Sequence, residues 1–106
     1  MSEKTVHKVA DFSDIALGKT HRVSVEEEDI LLCRTSDGVY AVSNKCSHAA
    51  ADLCDGKLKG HRIFCPLHSA AFDVRTGEAL SRPASKPIES YEVVIEGEDI
   101  LVALVV

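Results

Sequence analysis

Apolar residues along this chain recur at every second position in short runs broken by Gly, Pro, Asp and Ser, and no long stretch carries a helical period. With its β-branched content, that alternation predicts strands at Val6 to Val9, His21 to Val25, Ile30 to Arg34 and Val39 to Ser43. Further strands are expected at His61 to Phe64, Ala71 to Val74, Tyr91 to Ile95 and Ile100 to Leu104. Asp37-Gly38 and Glu96-Gly97-Glu98-Asp99 are turn signals that join antiparallel neighbours. The two stretches beginning at Val23 and Val93 look alike, which a shared solution of apolar strand, acidic turn and apolar strand explains; neither has the ordered oxygen spacing of a calcium loop. Ser81 to Pro87 holds two prolines and cannot form a central strand. The pattern as a whole is all-β.

Composition narrows the picture. A chain of 106 residues makes one domain, long enough to bury roughly 60 to 70% of its unfolded surface without disulfides. No apolar run approaches the ~20 residues that cross a bilayer, and Met1 to Thr5 lacks the basic and apolar regions of a signal peptide. A cytoplasmic protein with no membrane partner is the expectation. The net charge of −5 disfavours nucleic acid, whose phosphates call for a basic surface, and favours a basic protein partner.

The chemistry lies in two short segments, Cys46-Ser47-His48 and Cys65-Pro66-Leu67-His68, each offering one thiolate and one imidazole. A single residue between Cys46 and His48 suits two neighbouring irons better than one zinc, whose paired ligands are usually separated by two to four residues. A zinc-binding interaction module is therefore the weaker alternative. A nucleophilic pair of Cys65 and His68 lacks an orienting third group and an oxyanion hole, and leaves Cys46 and His48 unexplained.

With C-x-H, a gap running from Ala49 to Phe64, and then C-x-x-H, the chain resembles the Rieske-type ferredoxins and Rieske domains. The likeness extends to Asp55-Gly56, Phe72-Asp73, Thr76-Gly77, Pro83 and Pro87, and covers nearly the whole chain. It implies a Rieske fold, an antiparallel β-sandwich-like base with a small inserted cluster-binding β subdomain at about 45–82, within one domain of residues 1–106. It also implies one [2Fe-2S] cluster, with Cys46 and Cys65 on one iron and His48 and His68 on the other. Ala49, Pro66, Leu67, Ser69 and Pro83 would surround the cluster or form the tip that meets a partner.

Within the family the likeness is strongest to the small ferredoxins of bacterial ring-hydroxylating oxygenases. That implies an electron carrier, not an enzyme, that passes one electron from a flavin-dependent reductase to a terminal oxygenase and has no small-molecule substrate of its own. A small Rieske subunit of an assimilatory nitrite reductase is the alternative. High-potential relatives staple the two loops with a disulfide and place hydroxyls near the cluster sulfurs. Here the corresponding positions are Ala49 to Ala51 and Leu67 for the staple, and Ala70 and Phe72 for the hydroxyls. A low potential is implied, toward the lower end of about −150 to +300 mV. Cys33, in an apolar run, reads as a small buried hydrophobe, and Cys54 as a loop residue without catalytic duty. His7 and His21 read as surface groups, and His61 is not counted as a ligand.

Overall fold

The computed structural model describes residues 4–47, 50–67, 70–82 and 86–105. Nine strands account for most of them: β1 (Lys4–Asp11), β2 (Thr20–Val25), β3 (Glu28–Thr35), β4 (Gly38–Ser43), β5 (Lys57–Lys59), β6 (Arg62–Phe64), β7 (Ala71–Asp73), β8 (Ser90–Glu96) and β9 (Asp99–Val105). Single 3-10 turns occupy Phe12–Asp14 and Leu53–Asp55. Among the described residues no helix is long and apolar enough to cross a membrane.

Every pairing is antiparallel, and the strands form a curled six-stranded sheet in the order β1-β9-β8-β4-β3-β2 and a three-stranded sheet in the order β5-β6-β7. The large sheet is two three-stranded halves, β1-β9-β8 and the meander β4-β3-β2, which among the described residues pair where Ala41 and Val42 of β4 meet Tyr91 and Ser90 of β8. That narrow seam lets the two halves face each other in the sandwich-like manner expected. Ile15, Ile30, Leu32, Ala41, Ile100 and Val102 fill the space between them.

β3 explains how the small sheet is held. Alternate residues of a strand face opposite ways, so Ile30 and Leu32 enter the base core while Leu31 and Cys33 enter a second core. All four are fully buried, as a continuous apolar run requires. The second core adds Val42 from β4, Ile63 and Phe72 from the small sheet, and the two cysteines Cys46 and Cys65. The site therefore rests on the back of the strand that organises the base.

All eight expected strands are present, with ends shifted by a residue or two. Two expected strand residues, His61 and Val74, lie in turns instead; Gly60, at φ +59, and His61 form the connection that Lys59 and Arg62 close as a cross-strand pair. β5 was not anticipated. Lys57-Leu58-Lys59 contains one apolar residue between two glycines, too little for periodicity to register. Leu58 packs on the second core while both lysines face water.

Candidate metal centre

Cys46 lies just beyond β4, on a loop organised by Asn44. The Asn44 side chain is completely buried, and four hydrogen bonds converge on the residue. Its N–H donates to the Asp29 carbonyl at 2.9 Å and its Nδ2 to Asp29 Oδ2 at 3.2 Å; its carbonyl accepts from Leu53 N–H at 2.7 Å and its Oδ1 from Cys54 N–H at 2.8 Å. The loop leaves and returns at one residue. Inside this clamp Cys46 N–H donates to the Ala51 carbonyl at 3.0 Å, and Lys45 reaches Asp52 at 2.7 Å and Asp29 at 3.4 Å. Arg22 also grips Asp29, at 2.8 and 3.0 Å. Arg22 first, then Asn44 and Lys45 hold the Asp29 carboxyl below the usual range against the opposing effect of burial.

Cys65 follows β6 and opens the second loop, which is closed by its N–H donating to the Ala70 carbonyl at 2.7 Å. Its thiol is in hydrogen-bonding contact with that of Cys46, and Leu67 N–H donates to its sulfur. Burial pushes the Cys65 thiol up and the neighbouring Cys46 sulfur adds to the effect, while the Leu67 N–H works the other way. None of the four cysteines is in a disulfide. The Cys65 sulfur, in an apolar surround, is poorly disposed to ionise unaided. A metal cation stabilises thiolate there, and soft thiolate donors suit iron–sulfur clusters or zinc. The donor set thus fits an iron–sulfur cluster.

Small residues bind the loops to one another. A side chain on Gly56, at the end of the first loop, would run into the Phe64 carbonyl next to Cys65. One on Gly77, at φ +83, would strike the Ile88 carbonyl, and Ile88 N–H donates to Gly77 O at 2.8 Å. Ser47 Oγ donates to the Lys86 carbonyl at 2.6 Å, tying the Cys46 loop to the proline-containing segment. Ser81 Oγ accepts from Ala71 N–H at 3.0 Å, and Leu80 N–H donates to the Ala71 carbonyl, so that segment also starts against the second loop. Asp73 holds the turn between them. Its carboxylate takes Arg75 N–H at 2.9 Å and the Arg75 guanidinium at 3.0 and 2.9 Å, and its carbonyl takes Gly77 N–H at 2.7 Å.

Of the residues singled out from the sequence, Cys46 and Cys65 come together, while Pro66 and Leu67 are exposed directly beside Cys65. His48, Ala49, His68, Ser69 and Pro83 lie outside the described residues. Cys33 is fully buried, and burial pushes its thiol up to about 12. Cys54 is half-buried, its sulfur 4.0 Å from Asp55. His61 stands 2.8 Å from Asp37 and edge-on to Tyr40, linking the β5–β6 turn to the β3–β4 turn. His7 engages Thr5 at 2.9 Å. Sequence reasoning missed Asn44, whose identity carries no periodic signal, and the ties made by Ser47 and Ser81. The positions of Asp73, Gly56 and Gly77 were part of the resemblance, but their mechanical roles were not legible there.

Comparison with known proteins agrees with this geometry. The family model for the Rieske [2Fe-2S] domain matches residues 5–92. The ferredoxin component of the naphthalene 1,2-dioxygenase system of Pseudomonas aeruginosa is 40% identical over 104 residues, 98% of this chain and 99% of that protein. The ferredoxin of carbazole 1,9a-dioxygenase from Nocardioides aromaticivorans superposes with a TM-score of 0.89 at 39% identity, covering 92% of this chain and 96% of the other. A chain from a complex of reduced oxygenase and oxidised ferredoxin in carbazole 1,9a-dioxygenase superposes with a TM-score of 0.87 at 35% identity, covering 92% of each.

Proposed function

The chain belongs to the Rieske [2Fe-2S] domain family, and from that premise we propose that it is the ferredoxin of a ring-hydroxylating dioxygenase system. It takes one electron from a flavin-dependent reductase and delivers it to a terminal oxygenase. The observation that carries this reading is the contact between the buried thiols of Cys46 and Cys65 on two loops that no disulfide joins, in a chain that matches dioxygenase ferredoxins over almost its full length. The protein is an electron carrier rather than an enzyme. Cytoplasmic residence suits that role.

Cys46 and Cys65 would hold one iron, and His48 and His68 the other. When bound, a [2Fe-2S] cluster supplies reversible one-electron chemistry. What the chain adds is a dry, fixed cradle. Leu31, Leu53, Ile63 and Phe72 exclude water behind the two sulfurs, Leu67 N–H stabilises negative charge on Cys65 Sγ, and the Asn44 clamp keeps the first loop from opening. The cluster-holding portion corresponds to about 45–82, carried on the base of one domain. Ala70 and Phe72, both buried beside the second loop, have no hydroxyl to donate, which supports a potential near the lower end of the Rieske range.

The test is a count of iron and acid-labile sulfide on the purified protein, with visible and reduced-state EPR spectra. Two of each per chain and a one-electron signal are expected. A colourless protein holding a single zinc would overturn the reading.

A further inference from the structure

The distribution of charge on the small sheet contradicts the net charge of the molecule. The chain carries −5 overall, yet residues 56–72 and 79–88, which include Cys65 and the segment tied to Ser47, contain five Lys and Arg and no Asp or Glu. Three of the five lie on the β5–β6 hairpin. Lys59 pairs directly with Arg62 and Lys57 with Phe64, so these four side chains share the outward face, while Leu58 and Ile63 point into the core. Lys57, Lys59 and Arg62 are all exposed. Among the described residues none of them makes an ion pair, whereas Lys4, Lys8, Arg22, Lys45 and Arg75 all do. Arg62's neighbour on β7, Asp73, is committed to Arg75.

Like charges directly opposite on neighbouring strands are destabilising, so the Lys59–Arg62 pair has a cost that the fold does not recover. Guarding an exposed edge accounts for lysines on β5. It does not account for Arg62 on the central strand, or for Lys19, which faces Lys57 and Lys59 across a groove. Lys57 and Lys59 also border a second groove of about 490 Å³, whose wall includes Asp55, Phe64, Cys65 and Pro66. The lysine-bearing face therefore reaches the wall that holds Cys65, two lysines against the one acid, Asp55, on that groove.

We propose that the outward face of the β5–β6 hairpin, with Lys19, is a docking surface for a redox partner whose own contact face is acidic. The inference rests on the electron-carrier reading above and reverses the partner charge that the net charge suggests. Long-range attraction raises encounter rates and sets orientation, and here it would bring the partner onto the side of the molecule where Cys65 lies.

The test uses the cluster-loaded protein, reduced and then mixed with a small charged oxidant. Each chain gives one electron to ferricyanide, which becomes ferrocyanide. The rate is expected to fall as salt rises, and the rate with the cationic hexaammineruthenium(III) to rise. Lys57→Glu with Lys59→Glu should slow ferricyanide roughly tenfold at low salt and reverse its salt slope. Lys4→Glu with Lys8→Glu, the same change in net charge on β1, should leave both unchanged. A readout independent of electron transfer is elution from a sulfonate matrix, where wild type and the Lys4/Lys8 variant should elute together and the Lys57/Lys59 variant earlier. A ferricyanide rate that rises with salt, or equal effects of the two double variants, would overturn the proposal. So would retardation of a DNA duplex at physiological salt, which would assign the face to nucleic acid. A protein that assembles no two-iron cluster fails the electron-carrier reading instead, and the elution order still reports on the face.

Discussion

Asn44 and Asp29 are joined twice, backbone to backbone at 2.9 Å and side chain to side chain at 3.2 Å, and the same Asn44 side chain accepts the Cys54 N–H. Asp29 is the second residue of the strand that underlies both cores, and Asn44 begins the loop that carries Cys46. Truncation by Asn44→Ala leaves the Cys54 N–H unpaired and removes one of three partners from the Asp29 carboxylate. Buried orphan groups of this kind cost about 1–3 kcal/mol each, so a loss of roughly 2–4 kcal/mol is expected in urea unfolding of the loaded protein. Bleaching of the visible spectrum by a chelator should also be faster. An unchanged bleaching rate would show that the clamp does not hold the loop closed.

Gly56 and Gly60 flank β5, and they predict opposite responses to the same substitution. At Gly56 an added Cβ meets the Phe64 carbonyl, a backbone group that cannot swing aside. Gly56→Ala should separate the two loops and cost about 3 kcal/mol or more, at the upper end of overpacking effects. At Gly60 nothing lies within 4 Å, and the only penalty is the left-handed backbone at φ +59. That strain is worth about 1–2 kcal/mol. Thermal unfolding of the two variants, with cluster content measured on each, decides between these magnitudes.

Much of this architecture was legible because burial and strand periodicity act locally. Ile30-Leu31-Leu32-Cys33 reads as a buried strand wherever it sits, and the Cys and His spacing announces a metal site without any fold. What stayed illegible depends on pairs distant in sequence. Lys57-Leu58-Lys59 becomes a strand only because Arg62 to Phe64 pairs with it and Leu58 finds the core that β3 supplies. Ser47 acquires a role only from a carbonyl 39 positions away. Net charge is likewise a sum over the chain, and it does not reveal that residues 56–72 and 79–88 contain no Asp or Glu.

Two carboxylates tie stability to acid. Arg75 foremost holds Asp73 below the usual carboxylate range, and Arg22 foremost does the same for Asp29. Because both bind protons more weakly in the folded state, their contribution is fully present above the unfolded carboxylate value of about 3.9. It is lost as pH falls from there through the folded values. Asp73→Asn removes one such group. At pH 7 it should destabilise by about 1.5–3 kcal/mol, the worth of hydrogen bonds to a charged group. The gap between wild type and variant should narrow as pH drops below about 4. Comparing the two proteins at each pH cancels acid loss of the cluster, which both share; a gap that stays constant would place the effect in packing instead of charge.

Cysteine accessibility offers a separate check on the site. Burial pushes the Cys33 thiol up to about 12, so almost no thiolate exists at pH 8, and its sulfur is sealed between β3 and the second core. Cys46 and Cys65 are buried too, and in the loaded protein their sulfurs would be bound to iron. Only Cys54 is partly open to solvent. Iodoacetamide at pH 8 should therefore add one group to the loaded protein, on Cys54, and none to a Cys54→Ser variant. After the cluster is stripped, labelling should spread to Cys46 and Cys65, with Cys33 reacting only under denaturant. Mass spectrometry of each stage reads the order directly. Early labelling of Cys33 would contradict its place in the core, and labelling of Cys46 or Cys65 while the visible spectrum persists would remove them from the metal centre.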